Sequence, residues 1–148
     1  MYRNLRLALS VAAFIAATPA PILAADGTVV RISVSNIVKP GGVLLAGAYD
    51  REATWLGATT VASMDVPVPP DIQGGALSFE MRLPPGRYAL SVLQDMNGNR
   101  KIDTNFIGIP TEASGSSNNA PARFSAPKFK DSVFVVGDQP VDLAIRMN

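Results

Sequence analysis

Beyond Asp26-Gly27 the chain alternates apolar and polar side chains: Val30, Ile32 and Val34 fall on one side, Arg31, Ser33 and Ser35 on the other. Period two sends successive side chains to opposite faces of an extended backbone, so this segment predicts a half-buried strand. The alternation returns at Leu77, Phe79, Met81 and Leu83 against Ser78, Glu80 and Arg82, and again at Val141, Leu143, Ile145 and Met147 against Asp142, Ala144 and Arg146. Residues 87–93 place Tyr88, Leu90 and Val92 on a common face, and 132–136 predicts a further strand. The run from Val43 to Tyr49 is almost continuously apolar and predicts a more deeply buried strand. Lys39-Pro40-Gly41-Gly42 and Pro84-Pro85-Gly86 have the composition of chain reversals.

No window after residue 26 carries an apolar stripe at helical spacing over three turns, and only a short helical turn near Arg51 to Leu56 is expected. Short strands punctuated by 12 prolines and 12 glycines predict an all-β fold. The expected architecture is an antiparallel β-sandwich of about seven strands, immunoglobulin-like or transthyretin-like, in a single domain over 26–148. Two connections are long. Residues 57–74 contain Val66-Pro67-Val68-Pro69-Pro70, and proline confines any strand there to a sheet edge. Residues 94–122 exceed the dozen or so residues that a structureless loop usually reaches, so that loop is expected to be functional, mobile or internally organised.

Composition narrows the chemistry. Among 148 residues there is no cysteine and no histidine. Disulfides, thiolate catalysis, imidazole ligands and histidine-dependent triads are therefore excluded. Residues 1–25 carry Arg3 and Arg6, an apolar run from Leu7 to Ala17, and small residues at the exit, the pattern of a secretory signal peptide cleaved after Ala24 or Ala25. The run is too short for a membrane anchor, and Pro19 and Pro21 interrupt it. The expected location is periplasmic or extracellular, with no membrane span in the exported part. Without Arg3 and Arg6, 11 basic residues face 12 acidic ones, so no basic footprint for nucleic acid remains.

The chemistry that is left concentrates in Asp95-Met96-Asn97-Gly98-Asn99-Arg100-Lys101-Ile102-Asp103. With Asp95 as position 1, side-chain oxygens fall at positions 1, 3, 5 and 9, and Lys101 can offer its carbonyl at position 7. This is the ligand order of an EF-hand-type loop, in which alternate residues turn toward a hard cation. Asp95, Asn97, Asn99, Lys101 and Asp103 are thus candidate Ca²⁺ ligands, and Glu112 could add a third carboxylate. The loop lacks the motif's glycine at position 6, where Arg100 stands, and its glutamate at position 12, where Phe106 stands. The competing reading is that Asx-turns and Asn97-Gly98 shape a hairpin tip without any metal.

Several of these segments together resemble a known family. They are the Asp95-x-Asn97-Gly98-Asn99 cluster, Asp103-Thr104-Asn105-Phe106, Gly108-Ile109-Pro110-x-Glu112, Gly115-x-Ser117-Asn118-Asn119, the upstream 83–89 and the downstream Pro127-x-Phe129. The pattern is similar to the bacterial family called domain of unknown function 2141. In that family a histidine usually precedes the aspartate and a glycine follows the second loop asparagine, where this chain has Gln94 and Arg100. The resemblance implies a small exported protein in which the Asp/Asn loop is a recurrent element.

The resulting expectation is a non-enzymatic binding or structural module whose long loop, ordered by calcium, meets a cell-envelope polymer or a protein partner. Trp55 and Tyr49 are a possible sugar-stacking platform but are expected to be ordinary core or edge aromatics. The alternative is a hydrolase acting on an envelope glycan or ester through Asp95, Asp103 or Glu112.

Overall fold

The computed structural model describes residues 27–72, 74–122 and 125–148. The expected signal peptide lies outside the described residues.

The first alternating segment forms β1 (Thr28–Ile37), with Val30, Ile32 and Val34 buried. At Asn36 the backbone turns left-handed, with φ 63°, and the pairing register shifts between Val34 and Ile37. The irregularity moves the buried parity from even to odd positions, which is how Ile37 also reaches the core. β2 (Val43–Tyr49) is buried over most of its length, as its continuous apolar run predicts. A 3-10 turn at Glu52–Thr54 follows, within the expected helical turn. β3 (Ala62–Pro67) is the edge strand of the proline-rich excursion. β4 (Gly75–Leu83) and β5 (Gly86–Asp95) are joined at Pro84-Pro85, and β4 keeps its alternation.

The remaining elements are β6 (Ser114–Ser116), a 3-10 turn at Ser117–Asn119, a single helical turn α1 (Phe129–Ser132), β7 (Val133–Val136) and β8 (Val141–Arg146). They form two packed sheets. One has the order β4-β1-β8, the other β3-β2-β5-β6, with β7 also paired to β5. Side chains from both sheets fill the space between them: Ile32, Val34, Met81 and Ile145 from the first, Leu44, Leu90, Val92 and Phe134 from the second. Truncating any fully buried member such as Leu44 or Ile145 to alanine costs about 2–5 kcal/mol, because the cavity left behind closes only partly.

The sandwich is therefore as expected, with two differences. The described residues form eight strands, and one pair, β1 with β8, is parallel, with Val30 opposite Val141 and Val34 opposite Ile145. Parallel neighbours need a long crossover. Here it comprises all the intervening strands, so no local sequence feature announces it.

One edge of β5 pairs with β2 from Ala89 to Asp95. The other is shared by two short partners, β7 opposite Gly86 to Ala89 and β6 opposite Ser91 to Leu93. Leu90 falls in the gap. Its N–H donates to Ser117 Oγ at 2.9 Å, and Ser117 Oγ–H donates to the Ser132 carbonyl, all of this at 0% exposure for Ser117. A buried hydroxyl thus replaces the missing strand residue. Asn119 does the corresponding job at the outer edge of β8: Nδ2 donates to the Ala144 carbonyl at 3.1 Å and Oδ1 accepts from Arg146 N–H at 2.8 Å. The Asn148 N–H reaches the Ser114 carbonyl beside it, tying the two sheets along one seam. Gly115 permits this close approach, since a Cβ there would lie 2.7 Å from Ile145 Cγ2.

Candidate functional site

Asp95 is the last residue of β5, and the 39–42 turn fixes it in place. Gly42 has φ +71°, and a Cβ there would stand 2.5 Å from the Asp95 carbonyl oxygen, so only glycine lets the turn lie against it. Gln94, 1% exposed, holds the turn through Nε2, which donates to the carbonyls of Lys39 and Gly41 at 2.8 Å each. Its Oε1 is buried without a partner, an arrangement that costs about 1–3 kcal/mol.

The loop then winds around its first carboxylate. Asp95 Oδ1 accepts from the N–H groups of Asn97 (3.2 Å) and Gly98 (2.7 Å), and Oδ2 accepts from Arg100 N–H (2.8 Å). Burial alone would raise the Asp95 pKa. The N–H donors of Arg100, Gly98, Asn97 and Asn99 together outweigh it and hold the carboxyl below its ordinary range. Two further Asx-turns continue the spiral, Asn97 Oδ1 accepting from Asn99 N–H (3.0 Å) and Asn99 Oδ1 from Lys101 N–H (2.9 Å). At position 6, where an EF-hand-type loop has glycine, Arg100 adopts φ 60°. The turn is retained at a strain of about 1–2 kcal/mol. The guanidinium meanwhile reaches β3, pairing with Asp65 at 2.6 and 3.1 Å and drawing the Asp65 carboxyl below its usual range.

The last two acids close the network. Asp103 Oδ2 accepts from Asn97 Nδ2 at 2.6 Å and Oδ1 from Asn99 Nδ2 at 2.8 Å, so the side chains at positions 3, 5 and 9 meet at one point. Glu112 is buried, with Oε1 accepting from Met96 N–H (2.8 Å) and Oε2 from Asp103 N–H (3.1 Å). Asp95, Asn97, Asn99, Lys101, Asp103 and Glu112 are therefore brought into a single hydrogen-bonded assembly. Among the described residues, no three acidic side chains converge as a ready-made metal cluster. Glu112 clamps both ends of the Asp95–Asp103 loop through the backbone.

From Asp103 the chain forms a small hairpin that single-sequence reading does not resolve. Thr104 bridges Pro110, Thr111 N–H donates to the Asp103 carbonyl, and Asn105 N–H donates to the Ile109 carbonyl. Asn105 Oδ1 accepts from Ile107 N–H (3.1 Å) and Ile109 N–H (3.0 Å), fixing the tip, and Gly108 takes φ +81°. An asparagine followed by glycine three residues later is a turn signal, but it lies inside a segment with no apolar alternation to mark flanking strands. Lys39 Nζ donates to the Thr111 carbonyl at 3.1 Å, tying the hairpin to the 39–42 turn.

The aromatic residues do not form a platform. Tyr49 is buried, and Trp55 packs edge-on to it at 5.1 Å and to Phe129 at 5.9 Å while donating its indole N–H to the Pro127 carbonyl. They act as packing residues, the more conservative of the two expectations.

Comparison with curated proteins gives no match, and comparison with solved structures gives none. The family model described as "Uncharacterized protein conserved in bacteria (DUF2141)" matches residues 32–144. That span runs from inside β1 to inside β8 and includes the whole loop assembly, and this chain belongs to the DUF2141 family.

Proposed function

We propose that this chain is a non-enzymatic, exported binding module whose Asp95–Asp103 loop takes up a calcium ion. The observation that carries the reading is the meeting of Asn97, Asn99 and Asp103 at one point on a loop that keeps the left-handed turn at Arg100. The donor set is oxygen-rich, as a hard cation requires. Asp103, Asn97 and Asn99 would hold the cation through side-chain oxygens, in place of the Nδ2–H contacts that the two amides make to Asp103. Glu112 holds the loop ends through N–H groups that a cation does not compete for. The basic, apolar N-terminal segment supports export.

The hydrolase alternative has less support. Asp95 is held ionised, which disfavours it as a general acid, and both oxygens of Glu112 are already occupied by backbone donors. At 10 mM calcium, a site with Kd of about 10⁻⁴ to 10⁻³ M stabilises the fold by about 1.4–2.7 kcal/mol. Calorimetric scans are expected to show a rise in Tm with calcium but not with equimolar magnesium, and Asp103→Ala is expected to abolish it. An unchanged Tm at that concentration refutes the proposal.

A further inference from the structure

β4 leaves one long edge of the sandwich open. Among the described residues the other sheet edges are short or covered: β8 is met by Asn119, β3 carries Pro67, and the far side of β5 is split between β6 and β7. β4 runs nine residues without proline, and among the described residues no backbone hydrogen bond from outside its sheet reaches 75–83. Such a row of unpaired N–H and C=O groups is a template for another strand. The apolar side chains here are also only half-covered. Leu77 and Phe79 pack against the core yet stay half-buried, as do Met64 and Val66 of β3, the strand that β4 meets at this side.

Charge says what fits this edge. On the outer face of the sheet, Asp142 of β8, Arg31 of β1 and Glu80 of β4 stand opposite one another in one row, with Arg31 3.4 Å from Asp142 and 3.5 Å from Glu80. The row runs negative, positive, negative and stops at the open edge, where the next place calls for a cation. Two residues further along β4, Arg82 donates to the Gly27 carbonyl at 3.2 Å and has no acidic partner among the described residues. We infer that a second copy of this chain completes the row, β4 pairing antiparallel with β4 about a two-fold axis at Met81. The inference goes beyond the cation reading and does not depend on it.

Opposite residues of an antiparallel pair share a face, so every two-fold register is centred on one residue. Centred on Glu80 or on Arg82, like charges meet. Centred on Phe79, Glu80 meets Ser78 and Arg82 meets Ala76. Centred on Met81, Glu80 of each copy stands opposite Arg82 of the other, and symmetry makes the pair twice. Each row then reads Asp142, Arg31, Glu80, Arg82, with Phe79 opposite Leu83 on the core side. Charged side chains ordinarily protect an edge from pairing. Opposite charges two residues apart do the reverse for a strand that meets its own copy. Pro84 lacks an N–H and ends the ladder beyond Leu83, so the strand contact is short and the interface falls at the small, transient end of the range.

The test is analytical sedimentation of the full chain from about 5 to 500 µM, where a weak pair titrates. The expected result is a reversible monomer–dimer equilibrium. Glu80→Arg and Arg82→Glu, each alone, set like charges opposite one another at both pairs and are expected to weaken association roughly 10- to 100-fold. Both side chains are exposed, so the circular dichroism spectrum of each variant stays that of the unsubstituted protein. An equimolar mixture of the two variants restores both attractive pairs and is expected to recover the dimer. A spin label on Ser78→Cys, the one thiol in a chain without cysteine, is expected about 20 Å from its copy across the Met81 axis. Monomer throughout the range overturns the inference. A dimer that neither substitution weakens does so as well, because the apolar N-terminal run and every other surface are common to all variants. A label separation under about 15 Å places the two-fold elsewhere on β4 and equally defeats it.

Discussion

Ser117→Ala tests whether a single hydroxyl joins the split edge of β5. The substitution removes one oxygen and leaves the backbone unperturbed, since alanine accepts the same conformation. Two buried groups then lose their partner: the Leu90 N–H, which has no strand residue opposite it on that side, and the Ser132 carbonyl. At 0% exposure for both Leu90 and Ser132 water cannot replace the hydroxyl. Each orphaned group costs about 1–3 kcal/mol, so the loss for the two is about 2–6 kcal/mol, a large part of the roughly 5–15 kcal/mol that holds a folded domain. A destabilisation near 3 kcal/mol lowers Tm by roughly 10 °C. Urea unfolding followed by circular dichroism measures it, with Ser117→Thr restoring part of the loss by supplying the hydroxyl again. A loss below about 0.5 kcal/mol for the alanine variant, within the range of ordinary surface changes, would refute the account.

Further outcomes follow from the loop and the β8 edge. Arg100→Gly relieves a left-handed φ but gives up an exposed ion pair, so the two effects nearly cancel and stability stays within about 1 kcal/mol, while Arg100→Ala falls by about that amount. Loss of more than 2 kcal/mol in the glycine variant would contradict the strain assignment. Because the folded Asp95 pKa is depressed, its stabilisation is complete above the unfolded value near pH 4 and disappears as pH falls through the folded one. Urea midpoints recorded from pH 6 to pH 2 should therefore fall more steeply for wild type than for Asp95→Asn, and parallel slopes would count against the assignment. Asn119→Gly keeps the left-handed turn and loses both edge bonds, costing about 1–2 kcal/mol, with Asn119→Ala lower still because of its φ of 48°. Equal stability of the two variants in thermal scans would show that the strain is not there.

Strands with a core face were legible in advance because burial imprints a period of two, and β1, β4 and β8 show it in their side chains. β3 was legible as an edge for a different reason, its proline content. β6 was not, since Ser-Gly-Ser has no apolar alternation; its place is set by what Gly115 allows Ile145 to approach and by the partner strand. α1, a single turn after Pro127, has too few residues to show a period. In the loop, the positions of Asp95, Asn97, Asn99 and Asp103 could be read from spacing, because an alternating spiral repeats locally. Glu112 was singled out as a ligand, yet its observed bonds are to backbone N–H groups, a role that depends on how the chain returns and leaves no signature in spacing. The Ser117 and Asn119 contacts reach elements 27 and 25 residues away, beyond any local pattern.

The parallel pairing of β1 with β8 has a mechanical consequence. The start of β1 and the end of β8 lie at opposite ends of the same ladder. Tension applied between them pulls the two strands along their own axes in opposite directions. The ladder hydrogen bonds then bear the load together, in shear, and must fail as a group, whereas an antiparallel terminal pair pulled the same way would unzip bond by bond. Anchored at both ends, the domain is a tension-bearing link whose weakest direction is not along its own chain.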